Sequence, residues 1–251
     1  MSRTVRWILV GVGSLLLAGY GATGALFYWQ QRALLYLPTH QAAPAGLAPW
    51  TVDGELYGLA REAPQPRRVW LIFQGNAGQA GPRRYFDRVP ADESLYILDY
   101  PGYGKRPGEP THASITDAAR RAYFELRRRF SGVPVGVVGE SFGSGPACAL
   151  TREPTPPDRV VLLVPIARLD LVVGHALPFL PVRLLLRDNW DNPAALRDYR
   201  GPVTIFAAEE DQAVSRAETL LLAQSRPGIR LVWVPAGHLQ ADADEGVALA
   251  P

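Results

Sequence analysis

Gly139-Glu140-Ser141-Phe142-Gly143 is hemmed in from both sides. Val133–Val138, in front of it, is short, β-branched and apolar, and reads as a buried strand. Gly143–Leu150, behind it, consists mainly of small residues suited to a tightly packed helix. A chain that passes from buried strand to packed helix within this pentapeptide must turn sharply. The serine then takes a strained backbone conformation and lifts its hydroxyl above the sheet. Glycine is needed on either side, because a Cβ there would strike the adjoining strand or helix.

A serine hydroxyl is a weak nucleophile until a neighbouring base takes its proton, and the base needs a carboxylate to hold its tautomer. The strand–turn–helix around this serine resembles the nucleophile turn of the α/β-hydrolases, which implies the chain order serine, acid, histidine. Only His175 and His238 follow Ser141. His238 comes just after the last apolar run, in Pro235-Ala236-Gly237-His238, where a loop leaves the sheet edge, and it is the expected base. His175 lies in a proline-rich stretch between strands. The acid is expected after the run Val203–Phe206, where Glu209, Glu210 and Asp211 are adjacent. Asp211 is favoured, as a short carboxylate followed by the apolar Val214; Glu210 is the alternative. Amide donors for a developing oxyanion are expected from Phe142 and from the glycine-rich loop Gln74–Gly78, there Asn76 or else Ala77.

The rest of the chain supplies a frame for these residues. Apolar runs at Val69–Phe73, Leu95–Leu98, Val133–Val138, Val160–Val164, Val203–Phe206 and Leu231–Val234 are separated by helix-sized intervals. Such alternation predicts an α/β fold, a mostly parallel sheet with helices on both faces. Asp53-Gly54 between two short runs predicts a hairpin. Thr116–Phe130 has a helical stripe of Ala119, Ala122, Tyr123, Leu126 and Phe130, with arginines mostly around it. These arginines read as a solvated face.

Trp7 to Trp29 contains no charged residue, and as a helix it would be about 34 Å long, enough to span a bilayer. A cleaved signal peptide would have a shorter apolar core, and Tyr20 stands where a lipidated cysteine would be needed after Leu17-Ala18-Gly19. The expectation is an uncleaved anchor over residues 1–31 and a catalytic domain over residues 32–251. Arg3 and Arg6 precede the span and Arg32 follows it, which favours an inner-membrane protein with its amino terminus in the cytoplasm and its domain in the periplasm. Without those three arginines, 23 basic residues face 24 acidic ones, so nucleic-acid binding has no electrostatic support. Cys148 is the only cysteine and the histidines are scattered, so no disulfide, metal or cofactor is expected. Residues 165–200, rich in leucine and valine, are expected to form a lid. A roof of that kind over Ser141 would favour medium-chain over acetyl esters, each buried methylene contributing about 0.8 kcal/mol.

Taken together, Phe73-Gln74-Gly75-Asn76-Ala77-Gly78, Leu98-Asp99-Tyr100-Pro101-Gly102-Tyr103-Gly104, the serine pentapeptide, the Asp211 loop and Gly237-His238 resemble a membrane-anchored branch of the α/β-hydrolases. The likeness covers roughly residues 25–240. It implies the α/β-hydrolase fold and a serine hydrolase of the esterase, lipase, thioesterase or peptidase kind. Gln74 stands where that branch usually has histidine, and Ala208 and Ser215 stand where glycine and proline commonly bracket the acid. Ala241–Pro251 makes a poor amphipathic helix, so the usual final helix is expected to be short or missing. The expected activity is cleavage of an ester or thioester through Ser141, His238 and Asp211, with Asn76 and Phe142 as oxyanion donors. The alternatives are a peptidase or a non-catalytic binding module of the same fold. The expected partners are a small acyl substrate, a lipid among the options, and the bilayer; the oligomeric state is left open.

Overall fold

The computed structural model describes residues 2–42 and 44–249. Helix α1 (Arg3–Leu35) leads through the short β1 (Leu37–Pro38) to the hairpin of β2 (Ala48–Val52) and β3 (Glu55–Arg61). There follow β4 (Arg68–Phe73), β5 (Ala77–Gly78), β6 (Glu93–Leu98), α2 (His112–Arg129), β7 (Val135–Glu140) and α3 (Ser144–Ala149). Next come β8 (Arg159–Leu163), α4 (Leu169–Ala176), α5 (Val182–Leu185) and α6 (Asn192–Leu196). The last elements are β9 (Val203–Ala208), α7 (Arg216–Ala223) and β10 (Ile229–Val234).

Eight strands form one sheet in the order β10-β9-β8-β7-β4-β6-β3-β2, parallel except where β3 pairs with β2 and β6. The central strands are largely apolar because both faces of each are covered: β4, β6, β7 and β9 are buried almost from end to end. The hairpin turns at Asp53 and Gly54, both at positive φ, as a two-residue turn matched to strand twist requires. Helix α2 opens on a capping box between Thr111 and Ser114 and buries Ile115, Ala119, Ala122, Tyr123 and Leu126 against the sheet. Its arginines form the expected solvated face and are paired with acids: Arg120 with Glu153, Arg127 with Asp158, Arg129 with Glu62.

Two features differ from the sequence expectations, and a third, the missing final helix, agrees with them. Helix α1 continues past Gln31 to Leu35, and its last turns bury Phe27, Gln31 and Leu35 against the domain. The middle of the 165–200 segment, from Val173 to Asp188, packs along α1, with Leu180 and Val182 joined to Phe27 in a small apolar cluster. In place of a closing helix, residues 241–249 lie across the sheet and bury Ala241, Val247 and Leu249 against Val234 and Ala208. The Arg88 guanidinium holds that segment by donating to the Val247 and Asp242 carbonyl oxygens.

Candidate active site

Strands β7, β9 and β10 deliver the candidate residues to one edge of the sheet, at the strands' carboxyl ends where α/β folds bind ligands. Ser141 follows β7 directly, with φ of +50°, a left-handed conformation that costs a non-glycine residue energy and is sustained by its surroundings. The flanking glycines supply the room. A Cβ at Gly139 would lie 2.6 Å from the Ser144 Cα, and one at Gly143 would overlap the Phe73 and Gln74 carbonyl oxygens. Phe142 is buried and wedged edge-on against Trp190 and Tyr36, with ring centroids at 4.8 and 5.6 Å, so the turn cannot shift without disturbing an aromatic cluster.

His238 follows β10 and Asp211 follows the adjacent β9. His238 Nε2 lies 2.8 Å from Ser141 Oγ, and Nδ1 lies 2.7 Å from Asp211 Oδ2. An ionised carboxylate only accepts, so Nδ1 carries the proton and Nε2 is the acceptor for the serine hydroxyl. Asp211 Oδ1 accepts from the amides of Ala213 and Val214, both at 2.8 Å, and Val214 is buried as the anchor of this loop. Burial alone would push the Asp211 carboxyl up. The hydrogen bonds from His238 and the two amides outweigh it and hold the group below its ordinary value of 3.8. Glu209 and Glu210 are exposed and make no bond to His238. His175 lies in the last turn of α4 as an exposed residue, outside the site.

Beside Ser141 is a cleft of about 260 Å³, with Asn76, Ala77, Leu163, Val164 and Leu239 among its lining residues. Val164 is itself at a φ of +43°, uncommon for a β-branched residue. Arg83, Glu140 and Asp242 form the polar side. Glu140 is gripped by Arg83 at 2.6 Å and by the Tyr85 hydroxyl at 2.6 Å. Burial alone would lower the Arg83 pKa, but the Glu140 charge overrides it and keeps the guanidinium cationic. This trio was not legible in the sequence, where the only signal is an acidic residue next to Ser141. No residue from 165–200 is among those lining the cleft, so the expected acyl roof is not found there.

The Asn76 loop is held from an unexpected direction. Asn76 Nδ2 donates to the Leu35 carbonyl at the end of α1, and the Asn76 carbonyl accepts from the Leu37 amide at 2.9 Å and the Tyr103 hydroxyl at 2.6 Å. Strand β1 pairs in parallel with β5, and the Thr39 amide reaches the Gly78 carbonyl at 2.8 Å. Among the described residues, no backbone or side-chain acceptor takes the Asn76 amide proton. A Cβ built on Gly75 would come 3.9 Å from the Ser141 Cβ, so the loop passes close over the serine. The chain leaving α1 therefore braces the loop that faces Ser141, while Tyr36 braces Phe142.

No protein-family model matches the chain. MT2364, an uncharacterized protein of Mycobacterium tuberculosis (strain CDC 1551 / Oshkosh), is 30% identical over 237 residues, 86% of this chain and 84% of its own length. The α/β hydrolase domain-containing protein WAV2 of Arabidopsis thaliana is 26% identical over 193 residues, 66% of this chain and 62% of its own. Among solved structures, the esterase Pf2001 of Pyrococcus furiosus superposes with a TM-score of 0.65 at 14% identity, covering 83% of this chain and 93% of that one. From these likenesses and the sheet order, the chain belongs to the α/β-hydrolase family, and the long apolar helix at its start fits the membrane-anchored branch of that family.

Proposed function

We propose that this protein hydrolyses small acyl esters or thioesters through an acyl-enzyme on Ser141. The observation that carries the reading is the unbroken chain from Ser141 Oγ through His238 to Asp211, with both contacts below 3 Å. In the first half-reaction Oγ attacks the substrate carbonyl as its proton passes to His238 Nε2. The resulting imidazolium is stabilised by Asp211. The oxyanion is met by the backbone amides of Phe142 and Asn76, and collapse expels the leaving group with the proton from Nε2. A water activated by the same nitrogen then attacks the acyl-enzyme, giving the acid and restoring the serine. Arg83, Glu140 and Asp242 face the substrate from the polar side of the cleft.

The cleft, rather than an apolar roof, sets the expected acyl preference. Once the acyl chain outgrows it, further methylenes bury nothing and the gain of about 0.8 kcal/mol for each should stop. With p-nitrophenyl esters, we expect a stoichiometric burst of nitrophenol and a kcat/KM that levels off beyond short chains. Cleavage of peptide nitroanilides without ester turnover would contradict the reading.

The Asn76 brace yields a sharper expectation. Leu37→Pro deletes the amide that bonds the Asn76 carbonyl, while Tyr36 already has the extended backbone (φ −106°, ψ 117°) that a residue before proline needs. Its kcat should fall about tenfold or more with KM little changed, because oxyanion donors act chiefly in the transition state. Leu37→Ala, which keeps the amide, should behave as wild type.

We further propose that α1 is a single-pass inner-membrane anchor, with the hydrolase domain in the periplasm. Arg3 and Arg6 before the apolar stretch and Arg32 after it support this orientation. Alkaline phosphatase fused to the carboxyl terminus of the full chain should be active in a bacterial host. A silent phosphatase beside a fluorescent cytoplasmic reporter at the same position would reverse the assignment.

A further inference from the structure

Helix α1 is longer than a bilayer core requires. Its 33 residues rise through about 50 Å, against roughly 30 Å of hydrocarbon. With Arg6 at the far surface, some twenty residues cross the core, which puts its near edge around Leu26. Tyr28 and Trp29 follow at the level that suits interfacial aromatics.

The structure lays a finger of the domain along this stretch. The Arg187 amide donates to the Gln31 side chain, and the Gln31 amide donates to the Leu185 carbonyl. The Tyr20 hydroxyl donates to the Phe179 carbonyl at 2.9 Å. From Gln31 back to Tyr20 the finger climbs about 17 Å along the helix axis, and its tip lies some 9 Å beyond the Leu26 level.

Its surface chemistry suits that depth. Phe179 is 58% exposed and Leu184 is 84% exposed. Arg183 and Arg187 are exposed beside them, with Arg187 over the Tyr28 ring at 5.4 Å. No acidic residue lies between Leu171 and Arg187, and Asp188 just beyond is buried against Arg32 and Tyr36. Leu180 and Val182 turn inward onto Phe27, so the exposed side chains stand on a fixed base. None of these residues is among those lining the Ser141 cleft, so catalysis does not account for them.

We infer that the Leu177–Arg187 finger is a lipid-docking surface, with Phe179 and Leu184 in the acyl layer beside α1 and Arg183 and Arg187 among anionic headgroups. The inference rests on α1 being a membrane anchor and deepens it. The domain is held at a fixed attitude on the bilayer by two contacts instead of swinging from one. An interfacial element of this kind sinks about 5–10 Å into the headgroup–acyl boundary, the depth given by the finger's position on α1.

The test uses the full chain in vesicles of phosphatidylcholine and phosphatidylglycerol, brominated either near the glycerol or midway along the acyl chain. An environment-sensitive fluorophore is attached in turn to Leu184→Cys, Phe179→Cys, Leu16→Cys and Leu221→Cys. The native Cys148 is fully buried and its thiol is pushed up by burial, so it stays unlabelled. The label at 184 should lose about half its fluorescence to the shallow bromines, and the labels at 179 and 16 should respond most to the deep ones. The label at 221, on the exposed side of α7, should remain bright. Quenching at 16 with bright labels at 179 and 184 would overturn the docking surface alone, including the case of a second copy covering the finger. Bright labels at 16 as well would overturn the anchor and the docking surface together.

Discussion

Ser141→Ala and His238→Ala are each expected to lower kcat on p-nitrophenyl esters by a factor on the order of 10⁵ to 10⁶, and the double variant should fall no further. Without the imidazole at 2.8 Å the hydroxyl keeps its proton, and without the hydroxyl the imidazole has nothing to activate. The two groups thus perform one step, and losing either loses nearly all of it. What remains is the contribution of amides aimed at the oxyanion. Thermal unfolding of each variant should stay close to wild type, because relieving the left-handed backbone at position 141 is not required by either change. Additive losses in the double variant would mean that the two side chains act in separate steps.

Asp211→Asn is expected to cost about 10⁴ in kcat. An asparagine keeps the shape but presents an amide that can donate to Nδ1, which reverses the tautomer and leaves Nε2 carrying a proton where a lone pair is needed. Glu209→Gln and Glu210→Gln should be nearly silent, since both side chains are exposed and neither reaches His238. The same aspartate predicts a pH signature in stability. Its folded-state value lies below the ordinary 3.8, so the unfolded chain takes up the proton first as pH falls. The stabilisation from Asp211 is therefore fully present above 3.8 and is lost as pH drops through the lower folded value. Denaturant unfolding should show the gap between wild type and Asp211→Asn narrowing over that interval, and a gap that widens there would contradict the assignment.

The residues around Ser141 were legible because their constraints are local. A sharp strand-to-helix turn needs its glycines within a pentapeptide, and the strands that carry the site, β7 and β9, are buried from end to end because the sheet is covered on both faces. Asp211 could be preferred over its acidic neighbours for the same reason, as Val214 fixes the loop and its amide fixes the carboxylate. Long-range pairings gave no such signal. The end of α1 is not legible in the sequence because Gln31 and Arg32 look like the exit from a membrane span, whereas both are used inside the fold, on Leu185 and Asp188. The 165–200 segment is apolar, and composition alone does not say whether it covers Ser141 or α1. The pairing of Leu37 with Ala77 and the grip of Arg83 on Glu140 join residues far apart in sequence and leave no periodic pattern. The closing stretch is similar: Val247 and Leu249 pack without helical spacing, so the pattern showed no element although the core is covered.

Mass spectrometry of the full chain after brief exposure to a fluorophosphonate probes the nucleophile itself, independent of any guess about the natural substrate. A serine activated by His238 and Asp211 should form a single covalent adduct, mapped by proteolysis to the peptide containing Ser141. The adduct should be lost in Ser141→Ala and slowed by orders of magnitude in His238→Ala. An unlabelled wild-type chain, or labelling that persists in Ser141→Ala, would contradict the account.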